Sequence, residues 1–272
     1  MSNVSPSGRR FGRWSWVVAT AGLVVAGGLA SGQEIDIPDT QIQYNRGMRV
    51  APIYEGWTRN DDGTIELWFG YLNRNWEQML NVPVGPDNRV EPGGPDRGQP
   101  TVFVPRRRFG RAVQRRETMV FSVQVPADWT SEDEVVWTVR ANGKIDRAIG
   151  LFLPIYELPG PRGENTPPQL SVGKAEATVA LPATLALTAA VRDDGEMERR
   201  RANSAVRWVH YRGPGTVTFT PARTPFPLQP GPVEVESLTT VSFSEPGTFL
   251  LRAVAYDGDW YDSRNVAVTV TE

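Results

Sequence analysis

Apolar residues in this chain recur at every second position, in short runs bounded by Gly, Pro, Asn and Asp, and no segment after residue 32 keeps a 3.6-residue spacing for long. Alternation sends successive side chains to opposite faces of a strand, so such a chain is expected to be all-β. From Thr64 to Leu72 the inward set is Ile65, Leu67, Phe69 and Tyr71. Met119, Phe121, Val123 and Val125 form a second run, Val135, Trp137 and Val139 a third, and the three are expected to share one core. Further along, Leu185 to Val191, Val206 with Trp208, Val241 with Phe243, Phe249 to Ala255 and Val266 to Val270 supply a separate inward set with the spacing of a sandwich.

Asn60-Asp61-Asp62-Gly63 and Ala141-Asn142-Gly143-Lys144 lie between such runs, and Asn-Gly or Asp-Gly tolerates the positive φ of a tight hairpin. Between Pro159 and Pro168 proline fixes φ and removes donors, so a stiff linker is expected there rather than a strand. The passage from Pro83 to Pro105 reads as a long connection without strand character. The expected organisation is a signal peptide over 1–32, one sandwich over 33–158, a Pro-rich linker over 159–168 and a second sandwich over 169–272.

Arg9, Arg10 and Arg13 precede an apolar stretch from Trp14 to Ala30, and small residues then lead into polar Gln33-Glu34. That order is a secretory signal, with cleavage expected before Ser31; left uncleaved, it is the chain's one expected contact with a membrane. Removing it takes three arginines and no acid from totals of 29 basic and 31 acidic residues, for a net charge of about −5, which argues against nucleic acid as a partner. Cysteine is absent, so there is no disulfide and no thiol nucleophile. His210 is the one histidine, which excludes multi-histidine metal sites. An exported protein of the periplasm, cell surface or extracellular space is expected.

The second half resembles the PKD-like branch of the immunoglobulin superfamily. The residues that carry the likeness are Arg192-Asp193-Asp194-Gly195, Trp208, Gly213-Pro214-Gly215-Thr216-Val217-Thr218-Phe219, Phe243-Ser244-Glu245-Pro246-Gly247-Thr248-Phe249 and Ala255-Tyr256-Asp257-Gly258. Phe249 departs from the tyrosine many relatives have after Gly-Thr. The resemblance implies a spacer or an interaction module for protein or carbohydrate. The first half is similar to an uncharacterised domain of secreted bacterial proteins, through Tyr71-Leu72-Asn73-Arg74-Asn75-Trp76, Val84 to Asn88 and Glu91 to Pro100, and no activity comes with that likeness. The expected fold class is therefore all-β, two immunoglobulin-like antiparallel β-sandwich domains in tandem.

Three candidate sites stand out. Asp193, Asp194, Asp257, Asp259 and Asp262 come from two loops expected at one end of the second sandwich and are candidate Ca²⁺ ligands, although as turn acids they also fit ordinary hairpin chemistry. Calcium is the one cofactor considered. Arg106, Arg107, Arg108, Arg111, Arg115 and Arg116 are candidates for anion binding, or a solvated hairpin. Trp260 and Tyr261 are candidates for sugar stacking, or caps on the core. Val102, Phe103 and Val104 form a candidate edge for a partner strand. The reading is a non-enzymatic binding or structural module of the bacterial envelope, with an envelope protein or an extracellular glycan as partner. Its rival is a carbohydrate-active protein, either a sugar-binding accessory or a hydrolase using carboxylates near Trp76, Glu77, Asp87, Glu91 and Asp96.

Overall fold

The computed structural model describes residues 44–105, 107–109, 112–114, 116–160, 165–195, 204–227 and 231–272. The signal segment lies outside the described residues. The strands of the first half are β1 Val50–Arg59, β2 Ile65–Asn73, β3 Leu80–Asn81, β4 Asn88–Glu91, β5 Val102–Phe103, β6 Arg107–Phe109, β7 Ala112–Gln114, β8 Glu117–Val125, β9 Glu134–Ala141 and β10 Lys144–Leu151. A 3₁₀ turn, Pro154–Tyr156, follows. The second half holds β11 Gln169–Val172, β12 Glu176–Ala180, β13 Leu185–Asp193, β14 Ala205–Arg212, β15 Val217–Thr220, β16 Arg223–Pro225, β17 Val233–Phe243, β18 Gly247–Tyr256 and β19 Tyr261–Thr271.

In the first half, sheets β1-β2-β8 and β10-β9-β4 face one another over a core centred on Trp137, Phe69 and Phe103. Ile65, Leu67, Phe69, Val135, Trp137 and Val139 are all fully buried, as alternation requires. Both expected hairpins form. Gly63 has φ 86° between β1 and β2, and Asn142 and Gly143 have φ 49° and 74° between β9 and β10.

The second half follows immunoglobulin-like strand order. Sheet β11-β13-β17-β15 packs on sheet β12-β19-β18-β14-β16, which corresponds to the A-B-E-D and G-F-C sheets with an extra strand at each edge of the latter. Among the described residues every strand ladder is antiparallel save one, the parallel pairing of β12 with β19. Leu187, Trp208, Val241, Phe249, Leu251 and Val266 fill the core, and Phe249 sits with Phe243 and His210 at ring separations of 4.8 and 5.6 Å.

Three expectations are corrected. The Pro83–Pro105 passage is not without strands: β4 pairs with β9 in the main sheet and β5 pairs with β3. Its turns are tied by Asn88, fully buried, which donates to Val82 O and Pro100 O and accepts from Trp137 Nε1 at 2.9 Å. Val102 and Phe103 are not an exposed edge, because both are buried and Phe103 belongs to the core. Met119 leaves the inward set of its strand. Phe69 lies opposite Phe121 but Tyr71 opposite Glu117, so β8 bulges there, and Met119 takes the left-handed φ of 51°.

Candidate functional site

The outward face of β14, β18 and β19 should carry polar residues if it met water, yet it presents Val209, Tyr211, Val254 and Tyr261. That face is covered by the first half. A bulge at Tyr211 breaks the alternation of β14, since His210 pairs with Leu251 and Arg212 with Leu250. Tyr211 and Arg212 consequently reach the same way, into the 96–101 turn. Tyr211 Oη donates to Gly98 O at 2.6 Å, and its carbonyl accepts from Thr101 N at 3.1 Å. Arg212 forks onto Asp96 at 2.8 and 2.9 Å while its Nε donates to Gln99 O, and these bonds hold the Asp96 carboxyl below its usual range.

The rest of the joint is made by the start of β8. Arg207 pairs with Glu117 at 3.2 Å, both side chains mostly buried, and Tyr261 Oη meets Thr118 Oγ1 at 2.9 Å. Arg252 donates to Val120 O at 2.6 Å and lies 3.5 Å over the Tyr211 ring. Burial lowers the Arg252 pKa and raises that of Tyr211. Asn81 Nδ2 adds a bond to Gly213 O.

Two cavities adjoin this joint. A small one of about 160 Å³ lies between Val102 and Val104 on one side and Arg207, Val209 and Arg252 on the other. A larger cleft of about 570 Å³ opens beside it, and the two share Trp68, Met119 and Tyr261. Its described lining adds Tyr256, Trp260 and Asp259 from the β18–β19 turn, and Leu158, Pro159 and Pro167 from the connection between the halves. Tyr256 and Tyr261 stack at 4.4 Å, and Trp68 Nε1 donates to Thr58 Oγ1.

The five candidate calcium ligands are drawn toward one end, and it is the linker that bridges them. Thr166 binds Asp194 through its N–H and its hydroxyl, while Asn165 Nδ2 donates to Asp257. Asp257, fully buried, also accepts from Asp259 N and Trp260 N, and burial outweighs those bonds to raise its pKa. Asp193 accepts from Gly195 N, and Asp262 from Leu170 N and Arg264. Among the described residues no group of three or more His, Asp or Glu converges on a metal position. Arg107 and Arg108 lie on β6, which forms a hairpin with β7. Arg106, Arg111 and Arg115 lie outside the described residues. Arg116 pairs at 3.0 Å with Glu55, whose burial raises its pKa against that partner. The carboxylates weighed for hydrolysis each have a donor of their own: Glu77 has Asn45, Asp87 has Arg140, Glu91 has Arg89 and Asp96 has Arg212. Trp260 and Tyr261 do reach a cleft, and sequence reasoning missed its other walls, Trp68 and Met119.

The strand order defines the class, an all-β protein of β-sandwiches whose second half is immunoglobulin-like. No protein-family model matches the chain, and no curated protein does. Among solved structures, a chimeric titin Z1Z2 functionalized with a KLER exogenous peptide from decorin is 10% identical, covers 83% of this chain and 100% of its own, and has a TM-score of 0.25. The titin domains Z1Z2 in complex with telethonin are 9% identical over 81% of this chain and 96% of theirs, at a TM-score of 0.23.

Proposed function

We propose that this protein is an exported, non-enzymatic binding or structural module of the bacterial envelope, in which two sandwiches work as one rigid body. The observation that carries this reading is the joint: ion pairs, side-chain bonds and a main-chain bond run directly between the halves, where a flexible spacer would have left the outward faces of β14 and β18 polar. The signal-like order of Arg9 to Ser31 supports export. The PKD-like motifs agree with an interaction module, and Asp87, Glu91 and Asp96 of the Pro83–Pro105 passage each pair with an arginine, which supports a structural role for them. Fractionation of a bacterium producing the tagged full chain tests the proposal. Recovery with the envelope, and a mature N-terminus near Ser31, is the expected result. Retention in the cytosol with the N-terminal segment intact would overturn it.

A further inference from the structure

We infer that the aromatic cleft beside the joint is a binding site for a neutral carbohydrate chain, an inference that rests on the binding-module reading above and names its ligand class. At about 570 Å³ the cleft falls within the range of roughly 300–1,000 Å³ usual for small-ligand sites. Its aromatic walls come from both halves, Trp68 from β2 and Trp260 with Tyr261 from the β18–β19 turn, so it exists only while the joint is closed.

The backbone at the cleft points to a ligand. The bulge in β8 spends a left-handed, non-glycine residue to bring Met119 out of the core and into the cleft lining, and strained backbone of this kind concentrates at binding sites.

The chemistry of the walls selects the class. Pyranose rings offer apolar C–H faces to aromatic rings and hydroxyls at their rims. Thr58 Oγ1, which accepts from Trp68, keeps its own proton to donate to such a hydroxyl. Asp259 is the one charged side chain among the described lining, so those walls offer a polyanion no counter-charge. A proline-rich peptide would pack its rings on the same aromatics and is the rival occupant.

Isothermal titration of the full chain with cellohexaose, xylohexaose and maltohexaose, and with decaproline as the rival, tests the inference. Saturable binding of at least one hexasaccharide is expected, weakened about tenfold or more by Trp260→Ala and less by Trp260→Phe, which keeps an aromatic face. An unchanged melting temperature shows that a variant has folded, and Met119→Ala provides a second probe should Trp260→Ala fail to fold. No binding by any of the three sugars up to about 10 mM, equal affinity in the variants, or binding of decaproline instead would overturn the inference. Those failures leave the envelope proposal standing, because fractionation reads export and not the ligand.

Discussion

At the scale of single residues, His210 shows how burial becomes a pH dependence. Its ring is packed against Phe249 and is 5% exposed, and burial lowers its pKa from 6.5 to about 4. Below pH 6.5 the unfolded chain therefore takes up a proton that the native chain refuses, so stability is lost as pH falls from 6.5 toward 4. Across that window the loss attributable to this ring reaches about 3 kcal/mol. His210→Leu keeps an apolar side chain and removes the titration. Urea unfolding at neutral pH and near pH 4.5 should show the wild type losing about 2 kcal/mol more than the variant over the same interval. Equal losses would mean that the imidazole is not held neutral in the native state.

At the scale of strands, a bulge in each half aims side chains at the joint, and each needs its own local chemistry. Opposite the β8 bulge stands Gly70, where a Cβ would come within 2.4 Å of Glu117 O and 2.3 Å of Glu55 Oε1. The carbonyl belongs to the bulged backbone and cannot rotate away, so Gly70→Ala should cost about 1–3 kcal/mol and loosen the Glu117–Arg207 pair. Chemical denaturation measures the first effect. Chemical shifts of Arg207 measure the second, and an unaltered Arg207 environment would separate the bulge from the joint. The long strands were legible in sequence because period-two alternation is a property of burial on one face, and Ile65 to Tyr71 or Phe249 to Ala255 express it without interruption. β4 and β5 were not, because they are only four and two residues long and are fixed by the amides of Asn73, Asn88 and Gln99. Buried amides satisfy main-chain groups that a hydropathy pattern does not see. The candidate site was half legible: Trp260 and Tyr261 advertise themselves as an exposed-looking aromatic pair, but Trp68 reads as the polar-facing position of an ordinary strand until its partner half is in place.

At the scale of the whole molecule, what matters is whether the halves unfold together. Each has a core of its own, which on its own favours two independent transitions. Against that, the joint buries the Arg207–Glu117 pair and seats Arg252 between Val120 O and the Tyr211 ring. Removing one partner of such a pair leaves the other charge buried and uncompensated, a penalty of about 3–5 kcal/mol. The exposed Asp96 carboxylate adds less, yet its forked geometry on Arg212 fixes the angle at which the halves meet. Coupling of that size makes opening the joint comparable in cost with unfolding a half, so the native chain should show one calorimetric transition. Arg252→Ala together with Arg212→Ala removes both sets of bonds and should divide it into two, the halves melting at separate temperatures. Val209, Tyr211 and Val254 are the sequence's own trace of this arrangement, apolar residues at outward positions of strands whose inward positions are already apolar. A face of that kind is stable only when covered, and here the covering layer is the other half of the same chain. Loss of the joint would also remove one wall of the aromatic cleft, so the doubly substituted chain should bind hexasaccharide no better than Trp260→Ala.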